Sequence, residues 1–322
     1  MVPHNPDFNY NPPKIDSATL ADHAPKPLTP VQTHADPLSL RLKEIAKTVG
    51  LYRKDDPRTT DGNVDGLVST FPVYVASYAN GDWACNMRLD HDGNIVAGSV
   101  PDLVAKINEW SHGRIKGEVV PKPLNIGGSE LMDKRPPFIF FTGHKDFVLT
   151  DQEILNLRDY LQVGGAIWGD NALAGEGSRF DVAFKREMKR VVPDPDKNFQ
   201  PYDLTDAIFT KSCYPITQIP PGMNYYAEAP QHLDLDGVLA ILYTPNDYSD
   251  IMFMRVLPGD KEVYVPNDPP PNTLFTDQDF WSHRDVFYRN FDLASALAVH
   301  RLGMNIVAYL LVRFDDKLLL TP

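Results

Sequence analysis

The chain has 322 residues, 43% of them hydrophobic, a net charge of -12 and a pI near 5.1. That length buries a substantial core in one large domain or two smaller ones. The acidic balance argues against nucleic acid as a partner, because phosphate binding needs a basic face.

Residues 1–37 hold eight prolines and only scattered apolar side chains, which predicts an extended, Pro-rich tail that gains order on a partner. Its apolar anchors are Phe8, Tyr10, Ile15 and Leu20. The opening Met1-Val2-Pro3-His4-Asn5-Pro6 lacks the basic start and apolar centre of a secretory signal. Leu38 to Val49 returns to helical spacing, with Gly50 as its cap, and residues 55–66 form a polar linker. The domain organisation expected is therefore a tail over 1–37, a helix and linker over 38–71, and an α/β domain over 72–322.

Phe71 to Ser77 alternates as a first strand. Asp90-His91-Asp92-Gly93-Asn94 clusters oxygen ligands but lacks the spaced acids and distal Glu of a calcium loop, so the Asp-Gly pair reads as a hairpin turn. Pro101 to Trp110 reads as a helix with proline in its first turn, Lys116 to Pro121 as a strand, and Ser129 to Met132 as a helical turn.

Phe138 to Phe141 is an apolar run suited to a strand buried on both faces. Thr150 with Glu153 makes a capping box, so a helix starts at Asp151, and its apolar stripe is Ile154, Leu155, Leu157, Tyr160 and Leu161. Gly164-Gly165 ends it, and Ala166 to Trp168 is a second buried strand. Strand, helix, strand at this spacing is a crossover in a parallel sheet, where functional groups gather at the carboxyl ends of strands. Those ends carry Thr142-Gly143-His144 and Asp170-Asn171.

Beyond Asp170, the Ala174 to Ser178 loop leads into a helix from Arg179 to about Val191, capped by Ser178. Its Arg179, Lys185, Arg186, Glu187, Lys189 and Arg190 read as a solvated face. Val238 to Tyr243 is another buried strand, ending in the polar turn Thr244-Pro245-Asn246-Asp247. Residues 257–285 read as a Pro-rich exposed arm with Phe280 and Trp281 as partner anchors. Leu293 to Leu302 reads as a helix capped by Gly303, and Ile306 to Val312 as a closing strand. No stretch approaches the ~20 apolar residues of a membrane span.

Gly81-Asp82-Trp83, Phe141-Thr142-Gly143-His144, Gly164-Gly165 with Asp170, Arg186-Glu187, Asp247 and Leu302-Gly303-Met304-Asn305-Ile306 together resemble a bacterial domain-of-unknown-function family, number 4159. The resemblance implies a class I glutamine amidotransferase-like, flavodoxin-like fold: a three-layer α/β sandwich with a mainly parallel sheet. It brings no activity with it. Family members are often encoded near MoxR-type ATPases and von Willebrand factor A proteins, and many carry export signals, which this chain does not show.

An amidotransferase places a cysteine on the turn after the strand at Ala166–Trp168, yet here that turn is Gly169-Asp170-Asn171. Cys213 lies outside any Gly-x-Cys-x-Gly context and, like Cys85, reads as a structural thiol. Two such cysteines make no disulfide framework and suit a reducing compartment, or a fold that simply needs no crosslinks. The expectation is a non-catalytic scaffold or interaction subunit with no cofactor and no metal. Its partners are other protein subunits, with a membrane-embedded, energy-converting assembly as the specific case. The chain itself would be soluble and peripheral to that complex, cytoplasmic in preference to periplasmic. The alternative is a hydrolase-like enzyme or small-ligand-binding protein: His144 as general base oriented by Asp170 with Asp247 nearby, and a ligand held by His144, Asp170 and Asn171.

Overall fold

The computed structural model of the protein describes residues 69–111, 115–235, 237–264 and 292–320. The tail anchors Phe8, Tyr10, Ile15 and Leu20, the 38–49 helix, and Phe280 and Trp281 lie outside the described residues.

Strand β1 (Ser69–Ser77) sends alternate side chains to opposite faces, Phe71, Val73 and Val75 to one core and Tyr74 and Ala76 to the other. A hairpin follows, β2 (Met87–Leu89) against β3 (Ile95–Gly98). In its turn the Asp90 carboxylate accepts from the backbone N–H groups of Asp92 and Asn94, and Gly93 takes φ 74°. The acidic segment is thus turn chemistry, as its Asp-Gly pair implied. Helix α1 (Ser99–Trp110) begins two residues before the expected Pro101. Then come β4 (Ile115–Val119), β5 (Leu124–Asn125) and α2 (Glu130–Lys134).

The central crossover is β6 (Ile139–Gly143), α3 (Asp151–Gln162) and β7 (Ile167–Asn171). The capping box forms in both directions: Thr150 Oγ1 accepts from the Glu153 N–H, and the Glu153 carboxylate accepts from the Thr150 N–H. Ile154, Leu157, Tyr160 and Leu161 turn inward, while Leu155 is 48% exposed, contrary to its place in the expected stripe. A step of about 100° per residue carries it off the buried face.

The remaining elements are α4 (Arg179–Val191), β8 (Gln200–Pro201), α5 (Ala207–Thr210), β9 (Gln231–Leu235), β10 (Val238–Thr244), α6 (Tyr248–Met252), the ribbon β11 (Arg255–Val256) with β12 (Val263–Tyr264), and α7 (Leu293–Leu320). The main sheet runs β4-β1-β6-β7-β10-β9-β8, with β5 beside β1. Its strands are parallel from β4 through β10, and β9 and β8 add antiparallel at the edge. One core lies between the sheet and α1, α6 and α7, the other between the sheet and α3 and α4. The three-layer α/β architecture follows.

The C-terminal segment corrects an expectation. Gly303 does not stop the helix and Ile306 to Val312 is not a strand; both lie inside α7. A Cβ on Gly303 would stand 2.8 Å from Leu103 Cδ1, so glycine here lets α7 approach α1. Ile306, Val307, Leu310 and Leu311 continue the buried face at helical spacing. Leu293–Arg313 is also, by length and composition, a helix able to cross a membrane, with mean hydropathy 1.4, although 67% of that window is buried inside the fold. The expectation that no such stretch exists does not hold, because the apolar run had been divided at Gly303. Near its end, Arg313 (6% exposed) donates to the carbonyls of Gly164 and Gly165 at 2.7 and 3.1 Å, closing the turn after α3.

The 257–285 arm is fastened at its root. Buried Lys106 donates to Glu109, to Asp260 and to the Leu257 carbonyl, and Trp110 Nε1 donates to Asp260. Residues 265–291 lie outside the described residues.

Candidate functional site at the strand-end rim

Parallel register brings Thr142 of β6, Asp170 of β7 and Thr244 of β10 into one row at the carboxyl edge of the sheet. One residue earlier the row is Phe141, Gly169 and Tyr243. Gly169 has no side chain because Phe184 of α4 fills the space: a Cβ there would lie 2.4 Å from its ring, which stacks on Tyr243 at 4.8 Å. The rim thus rests on a floor of packed aromatics.

His144 follows β6, and its partner is Asp82, not Asp170. Its Nδ1 stands 3.2 Å from Asp82 Oδ2, and the backbone N–H groups of His144 and Lys145 donate to Asp82 Oδ1 at 2.9 and 3.0 Å. Burial opposes the Asp82 charge, but the hydrogen bond and charge of His144 and these N–H groups outweigh it and hold the carboxyl below its ordinary value. Asp82 wins this role because the turn after β1 reaches over the end of β6, where Tyr78 donates to the Thr142 carbonyl. The Gly81-Asp82-Trp83 motif was the available signal.

Asp170 is fully buried and engaged on both oxygens. Thr244 Oγ1 donates to Oδ1 at 2.5 Å, and the Ser249 N–H donates to Oδ2 at 2.8 Å. Burial pushes its carboxyl above the ordinary range. Asn171 donates to the carbonyls of Gly175 and Pro245 and accepts from the Leu173 N–H and the Ser178 hydroxyl. It ties the β7 and β10 loops together and has no side-chain atom left over for a ligand.

Asp247 stands at the head of α6 with φ 55° and ψ 58°, a left-handed conformation rarely taken by non-glycine residues. Its side chain caps α6 by accepting from the Asp250 N–H, and Ser249 Oγ lies 3.5 Å from its Oδ1. Asn86 donates to that same Ser249 hydroxyl at 2.8 Å. Burial, then the charges of Asp250 and Asp170, push Asp247 well up, and burial pushes Asp250 up to about 6. The structure therefore brings Asp170 and Asp247 together through Ser249, and places His144 with Asp82. Asp250 lies within electrostatic reach of His144 and had not been singled out. Cys85 and Cys213 are buried thiols, and burial raises Cys85 well above its ordinary value.

Helix α4 also departs from expectation. Glu187, assigned to a solvated face, is 1% exposed and accepts from Arg186, Arg190 and the Leu149 N–H. Its neighbours on the buried side, Phe184, Met188 and Val191, place it there, and the two arginines compensate the buried charge. Among the described residues, no group of three or more His, Cys, Asp or Glu side chains is arranged to hold a metal ion.

Comparison with protein families finds a domain of unknown function, DUF4159, matching residues 87–267, more than half of the chain. Comparison with curated proteins finds no match.

Proposed function

We propose that this chain, which belongs to the DUF4159 family, is a non-catalytic interaction subunit of a larger assembly. The observation that carries the reading is Asp170. It lies at the carboxyl end of β7, close to the turn where the resembled amidotransferases carry their nucleophile, yet it is fully buried and spends both oxygens on Thr244 and Ser249. A group held in this way supports the rim and leaves no reactive atom facing solvent. The partner is another protein subunit, and a membrane-embedded complex with this chain docked at its surface is the specific case to test. Cross-linking and mass spectrometry on native-source material checks it: stoichiometric recovery with other subunits is expected. Recovery as a free chain overturns it.

A second reading rests on the His144–Asp82 pair, the arrangement that orients an imidazole as a general base. It predicts hydrolytic turnover of an ester or amide panel that His144→Ala abolishes. The interaction reading predicts no turnover by either protein and a stability loss of about 1–2 kcal/mol in the variant.

A further inference from the structure

Apart from the rim, we infer that the groove between α4 and the β8–β9 edge binds a small phosphorylated anion. The groove encloses about 550 Å³ and is lined by Lys185, Lys189, Lys197, Phe199 and Leu233, with Glu176 on its wall. That volume is in the range of small-molecule sites, about 300–1,000 Å³.

The cations are not equivalent. Lys185 is neutralised, with Asp181 at 2.9 Å and Glu176 at 3.5 Å. Arg186 is occupied by Asp146 and Glu187. Lys189 Nζ donates to the carbonyls of Asp194 and Lys197 and to Asn198 Oδ1, at 2.7, 2.5 and 3.1 Å. These are neutral acceptors, so its charge is held in place without being compensated. Among the described residues, the ammonium of Lys197 has no hydrogen-bond or ion-pair partner, and Lys197 as a residue is half-buried. Lys197 therefore offers the open N–H donors, while Lys189, whose three donors are all used, adds its charge behind them, in a chain of net charge -12.

The chemistry of the ligand follows from which cations are open. A lysine ammonium is a compact point charge that draws a doubly charged phosphate more strongly than a single carboxylate, and the arginine fork that grips either anion bidentately is absent because Arg186 is engaged elsewhere. Half-buried Phe199 supplies an apolar wall for the organic part of the ligand. The site is preorganised as well, since the bonds of Lys189 fix the 194–198 loop that carries Lys197.

Isothermal titration of the full chain with inorganic diphosphate tests the site. Saturable one-to-one binding that weakens with added salt is expected. Lys197→Gln should weaken it at least about tenfold and Lys197→Glu should abolish it, while exposed Lys116→Gln leaves it unchanged. The Lys197 side chain makes no bond that the fold needs, so these variants keep the wild-type melting temperature; Lys189→Gln should weaken binding too, by releasing the 194–198 loop that carries Lys197. Absence of saturable binding overturns the inference, as does wild-type affinity in Lys197→Glu. Binding of citrate tighter than diphosphate overturns the phosphate class.

Discussion

The rim and the α4 groove hold charged side chains on opposite plans. At the rim the carboxylates of Asp82, Asp170 and Asp247 are buried and accept from neighbouring side chains or backbone N–H groups, with buried Asp250 beside them. In the groove Lys189 and Lys197 are partly exposed and face no carboxylate partner among the described residues: Lys189 leans on neutral oxygens, and the Lys197 ammonium bonds to no described residue. Strand-end position alone therefore does not identify a working site. What matters is whether the charge is already spent inside the fold, because a buried group without its partners costs more than the bond it makes.

The largest effect that sharpens this contrast is expected for Asp170→Ala. Removing both acceptors strands the Ser249 N–H, leaves the Thr244 hydroxyl only the Gly169 carbonyl, and opens a cavity, at a cost of about 2–4 kcal/mol in denaturant unfolding. Asp170→Asn should lose much less, since an amide can accept from Ser249 and donate to Thr244. A loss below about 0.5 kcal/mol in the alanine variant would break the claim that the rim is structural. Gly169→Ala ranks next. Its Cβ drives into Phe184 beneath the rim, and overpacking of this kind costs about 1–3 kcal/mol, read from the same unfolding curves.

Acid dependence separates two kinds of rim carboxylate. Asp250 has a folded value raised to about 6 from 3.8, so the stability it contributes is full below 3.8 and is lost as pH rises through about 6. Asp82 is lowered, so its contribution is present above its unfolded value and lost as pH falls through the folded one. Asp250→Asn should flatten the loss between pH 3.8 and about 6 in melting temperatures measured across pH; an unchanged profile would show that Asp250 does not titrate there. The smallest effect is expected in the groove, where Lys197→Gln shifts stability by no more than about 0.5 kcal/mol. A larger loss would mean that Lys197 is spent inside the fold, as the rim groups are.

Much of the frame was legible where the cause is local. The Thr150–Glu153 box, the Ser178 cap and the Phe138–Phe141 run each determine an element through residues within a few positions, and each element appears. Gly303 was misread because a glycine after an apolar helical run also marks a stop. Here its reason is Leu103, on another helix and distant in sequence. The site was legible in its membership but not in its pairing. His144, Asp170 and Asp247 do share the rim, yet His144 takes Asp82, 62 residues upstream, and spacing carries no record of which turn folds over which strand. Glu187 was hidden for a related reason, since a basic stretch reads as solvated until the buried side of the helix is known.

The Arg313 contact with the Gly164 and Gly165 carbonyls spans 149 and 148 residues. A ribosome extending the chain at about 5–20 residues per second delivers that guanidinium roughly 7–30 s after the turn it closes. Throughout that interval the β6–α3–β7 crossover is complete in sequence, while the turn after α3 presents its carbonyls to water. The two strands can pair early, but the joint between helix and strand is latched only once Arg313 has emerged, 148 residues after Gly165. A chain released short of Arg313 keeps the crossover and loses the latch, so arrival of this one side chain divides an early, open crossover from a closed one.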